Sequence, residues 1–174
     1  AFKDVPAPRI DSIQASDSEM YRIISSDAGQ EHCSWSLGSS TAAEATPDLI
    51  ASVKPDTVYI ISAMVKTQDL KGPGAFLEVA WVSAAGGPPI SGGSSGYSSG
   101  TNDWKRMEFK IKSHKNAGRA WILLKTAATG IVYFDDISMR EAGSDVELIP
   151  NGNLEVGSEL PKAWSFQNWT AGKN

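Results

Sequence analysis

The sequence predicts an all-β fold, an antiparallel sandwich of two sheets, and three observations carry that prediction. Roughly ten short runs alternate apolar and polar residues between turns rich in Gly, Pro and Asn, the pattern of strands in a sandwich. No long stretch repeats with helical period. The 174 residues, 41% of them hydrophobic, suit one domain with a substantial core and are too few for two.

Residues 1–18 hold Pro6, Pro8 and several Asp and Ser, which predicts an extended leading segment with at most an edge strand near Ile10–Ile13. Glu19–Ser25 is rich in β-formers and Ser26–Gln30 turns. His32–Ser36 then alternates so that Cys33, Trp35 and Leu37 share a face, read as core. Ala42–Leu49, Ala-rich with Pro47, fits either a loop or a helical turn, and Ile50–Val53 leads into the Lys54-Pro55-Asp56-Thr57 turn.

Thr57–Lys66 is the clearest central strand, with Tyr59, Ile61, Ala63 and Val65 on one side and Ser62, Met64 and Lys66 on the other, one side core and the other a potential ligand surface. Gly72-Pro73-Gly74 turns the chain into Phe76–Val82, where Leu77, Val79 and Trp81 share a face and Phe76 joins Glu78 on the opposite one. Gly86–Asn102 carries too little apolar content to pack and reads as a long loop. Arg106–Lys112 alternates charges with Met107, Phe109 and Ile111, a half-buried strand. After a turn at Asn116–Gly118, Arg119–Thr126 sets Ala120, Ile122 and Leu124 against Trp121, Leu123 and Lys125. Val132-Tyr133-Phe134 opens another strand that runs through Asp135-Asp136 to Ile137 and Met139. A turn at Ala142–Asp145 leads to a further strand at Val146–Ile149, closed by Pro150-Asn151-Gly152-Asn153.

Charge and cysteine content narrow the function. Sixteen Lys and Arg against twenty Asp and Glu give −4, which argues against a general hold on nucleic acid or an anionic membrane and favours neutral partners. The lone Cys33 cannot form an internal disulfide, and no apolar run is long enough to span a bilayer. The sequence shows no signal-peptide pattern, and a mature secreted chain would look the same because cleavage removes the signal. Asn168-Trp169-Thr170 matches the N-glycosylation acceptor pattern, a short one with frequent chance matches.

Catalysis finds little support. His32 and His114 are the only histidines, Cys33 points away from His32 in a strand, and no Gly-x-Ser-x-Gly elbow occurs. No strand carries acids at alternate positions on one face, as a glycan-cleaving pair across a sheet would require. The expectation is a chain that is not an enzyme.

Aromatics carry the alternative. A sugar ring offers an apolar C–H face to an aromatic plane and a rim of hydroxyls to polar side chains. Among the six tryptophans, Trp121 fits best, since alternation sets it beside Lys125. Phe76 with Glu78 follows by the same logic, and Tyr97 lies in the Gly/Ser loop that would rim a cleft. Trp81 divides between core and ligand, Trp35 and Trp164 read as core, and Trp104 is expected to cover a sandwich edge. For metals, the acids Asp135, Asp136 and Glu155 are the best candidates, since Ca²⁺ takes several oxygen ligands on well-held loops.

At these residues the sequence resembles a family. YFDDISM (133–139) is similar to the last strand, and LIPNGNLEVG (148–157) with Pro161 and Trp164 to the first, of the jelly-roll carbohydrate-binding modules of families four, nine, sixteen and twenty-two. Val53–Thr67, Trp81–Gly87 and Thr101–Ile111 match in their expected order, and Met64 departs where many relatives carry Trp. The resemblance implies a jelly roll, and a structural Ca²⁺ held by Glu155, Asp136 and Asp135 with backbone carbonyls. It also implies a displaced first strand, because the first-strand motif follows the last-strand one. Residues 146–174 then close their own sandwich as a circular permutation, complete a neighbour's as a strand-swapped dimer, or begin a following module.

The leading expectation is a secreted or cell-surface bacterial module that binds a neutral polysaccharide and targets a larger glycan-degrading enzyme. A structural or adhesion sandwich comes second, and a small glycan-active enzyme third.

Overall fold

The structure is a computed structural model. It describes residues 9–15, 18–27, 30–39, 42–47, 50–126, 129–154 and 163–169, with side chains over 52–125, 132–154 and 163–164. Among the described residues there are strands and no helix. In chain order they are β1 (Arg9–Ala15), β2 (Ser18–Asp27), β3 (Gln30–Ser39), β4 (Ala42–Pro47), β5 (Ile50–Ala51) and β6 (Val58–Ser83). After these come β7 (Ser91–Ser94), β8 (Ser98–Lys112), β9 (Ala117–Thr126), β10 (Thr129–Glu141) and β11 (Trp164–Trp169).

Every pairing is antiparallel, and β6 belongs to both layers. Its first half lies between β8 and β10, and β10 continues through β3 and β2 to β1. Its second half lies between β7 and β9, and β9 continues to β4 and β11. This corrects the expectation of two strands separated by a turn at Gly72-Pro73-Gly74. The chain keeps pairing through Leu70↔Gly100 and Ala75↔Ser98 while it crosses from one sheet to the other, with register shifts that let it bend. Gly74 is required there: at φ +112, a Cβ would sit 2.3 Å from the Ser98 carbonyl oxygen.

Three further expectations change. Ala42–Pro47 is strand β4, held between β9 and β11, so neither the loop nor the helical turn forms. Within the supposed loop 86–102, Ser91–Ser94 forms β7 and β8 begins at Ser98, because small residues can pair by backbone alone where they cannot fill a core. Val146–Ile149 is not a strand. Glu147 there folds back instead, its carboxylate accepting from the N–H groups of Met139 (2.8 Å), Leu148 (3.0 Å) and Ile149 (3.0 Å) and from Ser138 Oγ (2.6 Å).

The core lies between the layers. Tyr59, Ile61, Ala63 and Val65 from the first half of β6 meet Leu77, Val79 and Trp81 from the second, with Ala120, Ile122 and Leu124 of β9. Tyr59 and Trp81 rings stand 5.7 Å apart across this interior, and the Tyr59 hydroxyl accepts the Lys54 N–H at 2.8 Å. At the rim, Glu141 contacts Lys54 at 2.6 Å and raises its ammonium above the ordinary lysine value, chiefly through that hydrogen bond.

On β10 the buried residues switch from Val132 and Phe134 to Ile137 and Met139, which simple alternation cannot produce. A register shift between Asp135 and Ser138 supplies the extra residue, with Asp136 at φ +48. Two successive acids are thereby left outside the core. Beyond β10 the chain returns alongside it: the Ile137 N–H donates to Gly152 O (2.8 Å) and the Leu148 N–H to Met139 O (3.0 Å). Only glycine fits at 152, since a Cβ would lie 1.9 Å from the Ile137 oxygen. Ile149, Leu154 and Trp164 of this returning segment are buried in the same core.

Candidate functional site

The outer face of the second sheet gathers five of the expected ligand residues. On β6 the outward positions are Phe76, Glu78 and Ala80, and on β9 they are Trp121, Leu123 and Lys125, with register Phe76↔Lys125, Glu78↔Leu123 and Ala80↔Trp121. Lys125 Nζ reaches diagonally to Glu78 Oε2 at 3.2 Å, a contact that antiparallel pairing permits. Both side chains are about a third exposed or less, so the pair contributes little stability, and its effect is to hold two polar tips in place.

Aromatic rings flank this pair. Phe76 packs against Tyr97 with centroids 4.9 Å apart and planes at 59°, and Tyr97 remains 59% exposed. Trp121 is half-buried, and Ala80 opposite it is too small to cover the indole. Beside Trp121 and Glu78 lies an open hollow of about 450 Å³, whose far wall is Ser91, Gly92 and Ser94 of β7. Gly92 has no room for a side chain there, since a Cβ would lie 2.3 Å from the Val79 oxygen.

Trp81 does not join them. It is 1% exposed, facing Tyr59 in the core, because it shares the inward parity of Leu77 and Val79. This corrects its assignment as a ligand residue. Trp164 is buried at 6%, while the Trp35 side chain lies outside the described residues.

A second group lies on the outer face of the first sheet, the Ser62, Met64 and Lys66 side of β6 expected as a potential ligand surface, although neither of its aromatics was expected there. Tyr133 of β10 is opposite Lys66, and on the other side of β6 Lys105 is opposite Val65, so Trp104 and Tyr133 flank Lys66. Their rings meet edge to face, 6.4 Å apart. Trp104 therefore sits on a sheet face and not over an edge. Burial raises the Tyr133 phenol above its ordinary pKa, and its hydroxyl points to Gln68 Oε1 at 3.5 Å. Further along this face, Arg106 donates to Ser62 Oγ and Glu108 at 3.0 Å each. A hollow of about 470 Å³ opens there, lined by Arg106, Ser138, Arg140, Asn151 and Asn153 among others. The signal that could have found its aromatics was the pairing of an aromatic with a polar residue two positions on, in Trp104/Arg106 and Tyr133/Asp135.

Of the expected metal ligands, Asp136 is exposed and borders the same hollow as Asn151, Gly152 and Asn153. The Asp135 carboxylate accepts the Asp136 N–H at 2.8 Å, and Glu155 lies outside the described residues. Among the described residues no group of three or more His, Cys, Asp or Glu could hold a metal. The fold thus brings Asp136 to the Asn-Gly-Asn turn that directly precedes Leu154 and Glu155.

No protein-family model and no curated protein matches this sequence. Among solved structures, the enzymatically active domain of tailspike protein 4 of bacteriophage CBA120 is similar at TM-score 0.55 and 12% identity, over 78% of this chain. The chain spans only 19% of that protein, and the likeness is one of fold. Family 16 carbohydrate binding module-2 superposes at TM-score 0.49 and 18% identity, covering 68% of this chain and 85% of its own. The module 22-1 and catalytic module of Clostridium thermocellum endo-1,4-beta-D-xylanase 10B, complexed with xylohexaose, give 0.48 and 15%, over 80% of this chain and 25% of that one.

Proposed function

We propose that this chain is a carbohydrate-binding module that holds a polysaccharide on the outer face of its second sheet without acting on it chemically. One observation carries the reading: Trp121, Phe76 and Tyr97 are gathered with the Glu78–Lys125 pair beside an open hollow. Rings supply planes for the apolar faces of sugars, and the ion pair supplies both acceptors and donors for hydroxyls. Because that pair is internally compensated, the surface favours a neutral glycan. Such a module acts by tethering, raising the local concentration of an attached glycan-degrading enzyme on its substrate, which fits a secreted or cell-surface bacterial setting.

Trp121→Ala is expected to weaken binding by about 1–3 kcal/mol, the scale of losing an aromatic anchor, and to leave the melting temperature nearly unchanged. Affinity electrophoresis through soluble xylan, mixed-linkage glucan and galactomannan measures it. A structural or adhesion sandwich would be retarded by none of them. The Trp104–Tyr133 pair favours a second reading, in which the glycan lies on the first sheet. Trp104→Ala would then abolish retardation while Trp121→Ala has no effect.

Calcium is the other part of the proposal. Asp136 and the oxygens of the Asn151–Asn153 turn are hard donors of the kind Ca²⁺ takes, and Glu155 follows directly. Ca²⁺ would pin the end of β10 to the returning segment, a purely structural role. Added Ca²⁺ is expected to raise the melting temperature and chelation to lower it, since a ligand of the native state alone stabilises that state. Glu155→Ala should abolish the shift. Equal melting in excess chelator and excess Ca²⁺ would leave only a pair of acidic turns.

A further inference from the structure

The geometry points to a bivalent module: one protein molecule holds two glycan chains at once, one on each outer face of the sandwich, and so joins them. This rests on the glycan-binding reading above and adds a claim about number and arrangement. Each face carries an aromatic pair and a hollow. The second sheet has Phe76–Tyr97 at 4.9 Å, and its hollow of about 450 Å³ adjoins Trp121. The first sheet has Trp104–Tyr133 at 6.4 Å about Lys66, and its hollow of about 470 Å³ is lined by Arg106 and Arg140 and also by Asp136, Asn151 and Asn153, the groups proposed for Ca²⁺.

The two groups share no side chain. β6 contributes to both, but with different halves: Met64 and Lys66 face outward on the first sheet, Phe76 and Glu78 on the second. Between them stands the buried layer of Tyr59, Ile61, Val65, Leu77, Val79 and Trp81. Packed sheets lie about 10 Å apart, so ligands on their outer faces cannot touch or exclude each other. Groups so separated act independently, and each face should bind as if the other were empty. The faces also differ in chemistry. The second-sheet site is a compensated Glu–Lys pair among rings, whereas the first-sheet hollow sets the guanidinium groups of Arg106 and Arg140 beside the carboxylates of Asp136 and Glu147 and the amides of Asn151 and Asn153, more donors and acceptors and fewer apolar groups. Two faces pointing in opposite directions cannot grip one straight chain, so a polymer is cross-linked and not merely coated.

Titration calorimetry with xylohexaose, and in parallel with hexasaccharides of mixed-linkage glucan and galactomannan, tests this together with light scattering of the matching soluble polymers. The expected result is two hexasaccharides per protein, falling to one in both Trp121→Ala and Trp104→Ala. Scattering by the polymer should rise with the unaltered protein and with neither variant. Should either variant fail to fold, Tyr97→Ala and Arg140→Ala replace them, since these side chains are removed from solvent-facing positions. One hexasaccharide per unaltered protein, lost in a single variant only, would overturn bivalence and leave glycan binding intact. Binding of none of the three oligosaccharides would overturn both.

Discussion

A chain ending at Asp145 is expected not to fold cooperatively. Residues beyond it supply Ile149 at 4% exposure, Leu154 at 0% and Trp164 at 6% to the core. Truncating one large buried side chain costs about 2–5 kcal/mol, so losing three costs about 6–15 kcal/mol, comparable with the whole stability of a domain. Polar losses add to this. The N–H of Ile137 would lose the Gly152 oxygen, Ser138 Oγ would lose Glu147, and β4 would lose β11 as its neighbour. An unpaired β4 edge is open to association with other chains. Far-UV circular dichroism on heating and size-exclusion chromatography measure the outcome. A truncated chain that stays monomeric and melts at the same temperature would mean that residues 146–174 are dispensable, the start of another module and not part of this one.

Trp81→Ala should be the most damaging single substitution. Its indole is 1% exposed, packed on Tyr59 and facing Ala120 across the β6–β9 ladder, where a small neighbour cannot expand to fill the void. Removal of a buried Trp or Phe costs about 3–5 kcal/mol, read as a lower urea midpoint at unchanged slope. Glycan affinity of the fraction that remains folded should be unaffected. The opposite pattern, full stability with lost sugar binding, would return Trp81 to the ligand surface and invert the assignment of faces. Trp81 and Trp121 thus form a matched pair: one tryptophan expected to govern stability, the other recognition.

Much of this was legible from alternation. Tyr59, Ile61, Ala63 and Val65 declare an inward face, and Phe76 with Glu78 and Trp121 with Lys125 declare outward ones, because side chains two apart in a strand share an environment. The strand through Asp135-Asp136 was legible too, but the register shift there was not, since it depends on how β10 pairs with β6. Ser91–Ser94 was not legible, since Ser and Gly carry no pattern and the strand exists only because β6 offers it a backbone ladder. The bend of β6 was hidden for a related reason: Gly72-Pro73-Gly74 has turn composition, but the pairing of Ala75 with both Ser98 and Thr126 decides that the strand continues.

By itself, the sequence determined the fold class, the inward and outward parity of the runs at 57–66, 76–82 and 119–125, and the residue types available for sugar contact. The tertiary structure decided which of those residues meet. Parity depends on neighbours two positions away, so it is written locally. Lys125 reaches Glu78 from 47 positions along the chain, and Tyr133 reaches Gln68 from 65. Contacts of that span are fixed by the register of backbone hydrogen bonds between strands, and a slip of one residue would have turned Trp121 inward and emptied the face it now helps to form.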